Sequence, residues 1–497
     1  MPSSLHSSSH SRRTLLKASG LLLGAGFVPP LLSSCSSSSS SPTGSAPTSL
    51  GEKPSQLTIL YAGDQAAGSG VEALLPAVKD ALGIDVRLEN LPYDQIQTKT
   101  FAELATNDPQ HDIYIIDTPW TPTLTKVLEP LGSYLTSTSL NSKTDVNVED
   151  FIPAGFYDTS VYNVDSPSKT YTGDVSAPVD LDAIESAGFS ILGLPIQSNA
   201  LTMAYRQDLF EDPSEQAAFQ SSYGRALAVP ETWDQFVEVA THFTKPDGSL
   251  YGTTLMAGVG DWAVDDFKTL VGSYGGDGHL INGDMQIQIA TAEAKSALQF
   301  YVDLINKHKV VPPGTTSASW DNATASFASG QTAMTMNYGP QALSDNVTGK
   351  ISYALVPKKV ANAPHAGTWQ LSLPARKADN IKAWGYQVIA YLTSAQAQTQ
   401  MLAQQLHPTR TSVYAAASSD TSITAASGNF YDILGQSLAD GIGRARVKNY
   451  SSVVQPIAVG VNDAARAAAT VDEAMDSAAK SVQSVLSGLG VKSTIAS

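Results

Sequence analysis

The chain has 497 residues, with 46 acidic side chains against 30 basic ones and a formal net charge of −16. A surplus of that sign excludes a nucleic-acid backbone or an anionic lipid surface as an electrostatic partner. The single cysteine, Cys35, excludes an intrachain disulfide framework.

Residues 1–34 read as an export signal, not as fold. Ser11-Arg12-Arg13-Thr14-Leu15-Leu16-Lys17 supplies a basic start, 21–28 is an apolar run too short to span a bilayer, and Leu32-Ser33-Ser34-Cys35 closes on small residues. The paired arginines match the twin-arginine type of signal. Leu32-Ser33-Ser34-Cys35 looks like a bacterial lipobox, in which the cysteine is acylated and the chain is cut just before it. Cys35 is therefore the expected lipidation site. Residues 35–54 are rich in Ser, Thr, Pro, Gly and Ala, with six consecutive serines at 36–41. Such a composition predicts a flexible tether. The rest is too long for one ordinary core and implies two domains.

Residues 57–61 predict a buried strand ending at Ala62-Gly63-Asp64, and 71–82 a helix that stops at Gly83. A second strand follows at 84–88, a second helix at 93–106, and a third strand at 112–117 that turns abruptly acidic. That alternation predicts a parallel sheet with helices on its faces. Ligands sit beyond the carboxyl ends of such strands, which puts Asp64, Gln65, Asp117 and Trp120 at one edge. Residues 132–190 are polar and weakly periodic, and read as an irregular insertion. Strand patterns return at 191–196 and 201–205. Helices are expected at 232–243, 291–307, 323–329, 381–393 and 471–489. Thr232 is a natural N-cap with Gln235 as its capping-box partner, and Gly330 ends a helix before the short strand Ala333-Met334-Thr335-Met336.

Enzyme motifs are wanting. The eight histidines are scattered, and there is no His-Glu-x-x-His, no Gly-x-Ser-x-Gly and no Walker-type loop. Ser166 and Lys169 fit Ser-x-x-Lys, and Ser344-Asp345-Asn346 fits a second element of the penicillin-recognising enzymes. The third element is missing, and Ser166 lies in a Pro-rich loop.

Over roughly residues 56–490 an ordered series of segments resembles the extracellular solute-binding proteins of family 1, which include the maltose-, multiple-sugar- and polyol-binding proteins of ABC importers. Leu194-Pro195-Ile196 followed by Met203-Ala204-Tyr205-Arg206 is similar to the family's crossover segment. Pro230-Glu231-Thr232-Trp233-Asp234-Gln235-Phe236, Leu250-Tyr251-Gly252 and Tyr274-Gly275-Gly276 follow in order. So do Phe327-Ala328-Ser329-Gly330-Gln331-Thr332-Ala333-Met334, Ala383-Trp384, and His407-Pro408-Thr409-Arg410. Gly443-Arg444-Ala445-Arg446 with Tyr450 is similar to the polyol and sugar branch.

The resemblance implies an α/β, two-lobed periplasmic-binding-protein fold (type II-like), each lobe a mixed sheet flanked by helices, with the ligand cleft at the hinge. It implies a first lobe of 55–197 plus 316–366 and a second of 198–315 plus 367–497, with crossings near 197–199, 312–316 and 365–368. The implied function is extracytoplasmic capture of a carbohydrate by lobe closure and its delivery to ABC permease subunits. No catalysis, cofactor or metal is expected, and the protein is expected to be a monomer held on the outer face of the cell membrane by its lipid. The alternative is a lipid-anchored glycoside hydrolase or other hydrolase, which needs two carboxylates facing one another across a bond.

A sugar offers C–H faces that suit aromatic rings and an edge of hydroxyls that suits Asp, Asn, Gln and Arg. The resemblance puts Asp64, Gln65, Asp117, Trp120, Asn199, Trp262, Trp320, Asp321, Asn337, Tyr338, Trp369, Gln370 and Arg410 at pocket positions. Each tryptophan suits a core anchor equally well, and Trp233 and Trp384, on helix patterns, are assigned to the core. Asp64 equally suits a helix cap, and Arg410 a cap or an ion pair.

Overall fold

The computed structural model describes residues 47–62, 67–141, 146–339, 347–404 and 406–496. The export signal, the lipobox cysteine Cys35, the serine tract, Asp64, Gln65 and Ser344-Asp345-Asn346 lie outside the described residues. Among the described residues no helix is long and apolar enough to cross a membrane.

Two sheets organise the two larger hydrophobic cores, and a third cluster gathers Ala200, Ala204, Tyr353, Phe430 and Leu434. The strands are β1 (Gln56–Ala62), β2 (Asp85–Leu91), β3 (Ile113–Asp117), β4 (Leu194–Ala200), β5 (Thr202–Arg206), β6 (Tyr251–Thr253), β7 (Thr332–Asn337), β8 (Ile351–Ala354) and β9 (Ala366–Ser372). The first sheet runs β2-β1-β3-β9-β4; β1, β2 and β3 are parallel, and β9 is antiparallel to both its neighbours. The parallel part is the strand–helix alternation read in the sequence. The buried face of β3 is apolar on every residue but its last, as a strand covered on both sides must be. The second sheet runs β8-β5-β7-β6, with β7 antiparallel to β5 and parallel to β6.

The lobe boundaries differ from the sequence expectation. β7 lies in the second sheet and packs Met334 and Met336 into the second core, so 316–366 does not belong with the first lobe. β9 and the helix Asp379–Leu392 belong to the first sheet and core, so the chain from 367 onward is not wholly in the second. Val310, Val311 and Thr316 stay within the second lobe, which removes the crossing at 312–316. The third crossing lies instead at 440–444, where Ile442 bridges to His365. Local strand signals restart wherever a strand begins, whichever sheet it joins; the pairing partner is a tertiary choice.

Two further expectations change. Residues 132–190 are not an excursion: Tyr134, Phe151, Phe156, Tyr157 and Tyr162 are all buried in the first core, and the helix Pro153–Ser160 packs beneath β4 and β9. Irregularly spaced aromatics bury area without leaving a periodic signal. The tether reading of 35–54 fails at its end, because Thr48 accepts from Ser139, Glu52 accepts from Asn380, and Lys53 lies over the Trp384 ring. Local signals elsewhere agree with the structure. Thr232 and Gln235 form a capping box, Gly330 has a positive φ of 81° after the helix Trp320–Ala328, and Trp233 and Trp384 are buried core residues. The helix Asp261–Ser273, whose first turn carries Trp262, was not anticipated; its N-terminus follows Gly258-Val259-Gly260.

Candidate functional site

A cleft of about 910 Å³ opens between residues of the two sheets. Its first wall is built by register. Trp369 of β9 is paired with Asp117 of β3 on one side and with Gln197 of β4 on the other, so three lining residues share one row across the sheet. The next lining pair, Gly367 and Asn199, stands in the adjacent part of the β9–β4 ladder. Tyr93, at the end of β2, donates its hydroxyl to Asp117 Oδ2 at 2.9 Å and meets the Trp369 ring edge-on, with centroids 5.6 Å apart.

Three features of the second lobe make the opposite wall. Trp262 begins the helix Asp261–Ser273, Trp320 begins Trp320–Ala328, and Asn337-Tyr338 leave the carboxyl end of β7. The two indoles lie 5.4 Å apart at 70°, and among the described residues neither ring N–H has a partner. Asn337 Nδ2 and Asp117 Oδ1 are likewise buried without a partner. Buried polar atoms are normally hydrogen-bonded, so these four leave bonding capacity open around the cleft.

Between the walls lies a buried ionic cluster. Arg444 lines the cleft with its Nη2 3.6 Å from Asp265 and its Nε 3.7 Å from Asp261. A Cβ at Gly367 would lie 2.9 Å from Arg444 Nη1, so glycine there admits the guanidinium. Burial pushes the Asp117 carboxyl up to about 6 and the Asp265 carboxyl up to about 7, against the opposing pull of Arg444. Burial also works against the charge of Arg444 itself, but Asp265, Asp261 and Asp117 outweigh it and hold the guanidinium ionised. Tyr338 donates to Asp265 at 2.7 Å. His365, which also lines the cleft, is held neutral by burial and by the neighbouring Lys268 and Arg444. Arg444 thus offsets part of the negative charge of Asp117, Asp261 and Asp265, and burial raises all three carboxyls. Among the described residues, no group of three His, Cys, Asp or Glu is placed to hold a metal.

The residues singled out in the sequence divide. Asp117, Asn199, Trp262, Trp320, Asp321, Asn337, Tyr338 and Trp369 line the cleft. Trp120 does not; it is 1% exposed and supports Tyr93 and Trp369 from behind. Gln370 points away from the cleft, as alternation after Trp369 requires, and donates to Thr121. Arg410 is a structural cation. It stacks on Phe151 and donates to the carbonyls of Thr393, Asn147 and Val146. Tyr93, Gln197, His365 and Arg444 line the cleft but were not chosen. The strand-end rule that found Asp117 points equally to Tyr93 after β2, and Arg444 sits in the closing Gly-Arg-Ala-Arg motif already quoted.

A family model described as bacterial extracellular solute-binding protein matches residues 62–399, more than half of the chain. Among solved structures, the chain is similar to a maltose-bound MalE3 of T. maritima, at 23% identity and a TM-score of 0.67, over 87% of this chain and 100% of that one. It is similar to an ABC transporter solute-binding protein of Agrobacterium radiobacter K84 in complex with ribitol, at 20% identity and TM-score 0.66, over 87% and 99%. A third, from Thermotoga lettingae TMO and bound with α-D-tagatose, matches at 20% identity and TM-score 0.64, over 87% and 100%. These likenesses establish the two-lobed fold.

Proposed function

This chain belongs to the bacterial extracellular solute-binding proteins, and from that premise we propose that its cleft captures a neutral carbohydrate – a sugar, oligosaccharide or polyol – for an ABC importer. The observation that carries this reading is the pairing of aromatic walls with unpaired neutral donors. Trp369 and Tyr93 face the cleft from one lobe, Trp262, Trp320 and Tyr338 from the other. The indole N–H groups of Trp262 and Trp320 and the Asn337 amide suit ligand hydroxyl oxygens, and the free Asp117 oxygen suits a hydroxyl proton. Three carboxyl groups, Asp117, Asp261 and Asp265, around the single guanidinium of Arg444 disfavour an oligoanion. The similar solved proteins hold maltose, ribitol and tagatose, which agrees with this class.

A ligand touching both walls binds the closed arrangement better than the open one, so capture drives closure and permease subunits read the closed form. Of the carboxylates at the cleft, Asp117 is engaged by Tyr93, and Asp265 behind the lining is engaged by Tyr338 and Arg444, which supports binding over glycoside hydrolysis. The same reading has the protein exported by the twin-arginine route, attached through Cys35 and acting as a monomer.

The test is a thermal-shift and calorimetry screen with maltose, ribitol and α-D-tagatose. A bound compound at one hundred times its Kd stabilises by about 2.7 kcal/mol and makes the particle more compact in solution scattering. No response to any saccharide or polyol, with a response to amino acids, overturns the carbohydrate reading. Steady consumption of maltose by the purified protein overturns the non-enzymatic one.

A further inference from the structure

On the helix Asp261–Ser273, residues 261, 265, 268 and 269 share one face, which lies against the crossings between lobes. Lys268 Nζ, 1% exposed with its residue, donates to the carbonyls of Ile442 and Gly443, each at 2.5 Å. Its third proton meets His365 Nδ1 at 3.1 Å. An ammonium has three donors and no acceptor, so this one is fully used. With Lys268 as the donor, His365 Nδ1 accepts and the ring proton lies on Nε2, 3.3 Å from Asp265 Oδ1. The neighbouring Thr269 hydroxyl accepts the His365 N–H at 2.9 Å. The crossings are tied to each other as well: Ala366 N–H donates to Ile442 O, Ile442 N–H to Pro364 O, and Leu201 N–H to His365 O. One helix face thus grips two crossings, immediately beside two residues that line the cleft.

We propose that Lys268 is a positioning residue for ligand capture: it clamps the backbone of Ile442-Gly443 and the ring of His365, so that Arg444 and His365 enter the cleft in fixed orientation. Lys268 itself does not line the cleft. Its helix, however, begins with Trp262, which does. A ligand that contacts Trp262, Arg444 and His365 therefore bears on groups that Lys268 ties to this helix, while Arg446 ties the same segment to the first lobe through the carbonyls of Tyr157, Asp158 and Val161. Burial lowers the Lys268 ammonium to about 7, opposed first by Asp265. A lysine kept at such a place is held by its three partners, not by solvent.

The role of the clamp deepens the proposed capture function, and its test separates the two. In purified full-length Lys268→Met, hydrogen exchange at the Ile442 and Ala366 amides rises at least about tenfold, while the β1–β2 ladder exchanges as before. Affinity for whichever of maltose, ribitol and α-D-tagatose binds the parent falls at least about tenfold. In an Arg444→Ala background the same substitution costs less than about threefold, because Lys268 acts largely through Arg444. A residue of general structural value would give additive losses instead. Lys268→Gln, which keeps an amide donor, replaces the Met variant if the latter does not fold. Unchanged exchange at Ile442 and Ala366, or a loss of affinity equally large with and without Arg444, overturns the proposal. If none of the three compounds binds, the exchange measurement alone decides on the clamp, and the failure falls on the carbohydrate reading.

Discussion

Asp266→Asn removes an ionisation that the fold resists. The Asp266 side chain is 1% exposed; its Oδ2 accepts both the Met256 N–H and the Tyr301 hydroxyl, each at 3.0 Å, and its Oδ1 has no partner. Burial pushes this carboxyl from 3.8 up to about 7, more than those two bonds hold it down. The folded state therefore binds a proton that the unfolded chain has already lost between those values. Stability from this group is full at low pH and is lost as pH rises toward 7. At about 1.4 kcal/mol per pKa unit the whole loss is on the order of 4 kcal/mol, with more than half of it falling between about pH 5 and pH 8. Asparagine places its carbonyl oxygen where Oδ2 lies and carries no charge. Urea unfolding at the two pH values gives the answer. The parent should lose more stability than Asp266→Asn by on the order of 2–3 kcal/mol, with residual loss in both from Asp117 and Asp265, which shift the same way. Parallel losses in parent and variant would refute the reasoning.

Trp262→Ala and Trp369→Ala, both on cleft walls and only half-buried, should weaken saccharide binding by about 1–3 kcal/mol in calorimetry with little change in melting temperature. Arg410→Ala should do the opposite. It strips the buried carbonyls of Thr393 and Val146 of a donor, removes a second donor from Asn147 O, and costs about 3 kcal/mol of stability by denaturant titration, leaving affinity of the folded fraction unchanged. Cys35→Ala should release the protein from membranes on cell fractionation, and an Ala variant that stays bound would dismiss the lipid anchor. Replacing Arg12 and Arg13 together by Lys should stop export, measured as the fraction of protein outside the cytoplasm.

The candidate site was legible where a local rule suffices. Asp117 was found because ligands gather beyond the carboxyl ends of parallel strands, and that argument reads from 112–117 alone. Trp262, Trp320, Tyr338 and Trp369 were found by their chemical type and by the resemblance. Trp120 and Gln370 were misjudged for a geometric reason. Each lies within three residues of a true lining residue, but a pleat or a turn sends its side chain behind the wall. Arg410 was misjudged because a cation in a Pro-Thr-Arg loop looks alike whether it meets a ligand or three backbone carbonyls.

By itself the sequence determined the elements: the β1–β2–β3 alternation, the Thr232 capping box, the stop at Gly330, and a chemistry of aromatics and amides without a catalytic motif. These depend on contacts a few residues apart, which periodicity and side-chain type encode directly. Only the tertiary structure decided that β7 joins the second sheet, that β9 returns to the first, and that Asp117, Trp369 and Gln197 form one row. It alone brought Lys268 to Gly443 and Arg444 to Asp265. Such pairings join residues more than a hundred positions apart. What selects them is the burial of two separate cores and the satisfaction of buried charges, sums over the whole chain that no local window contains.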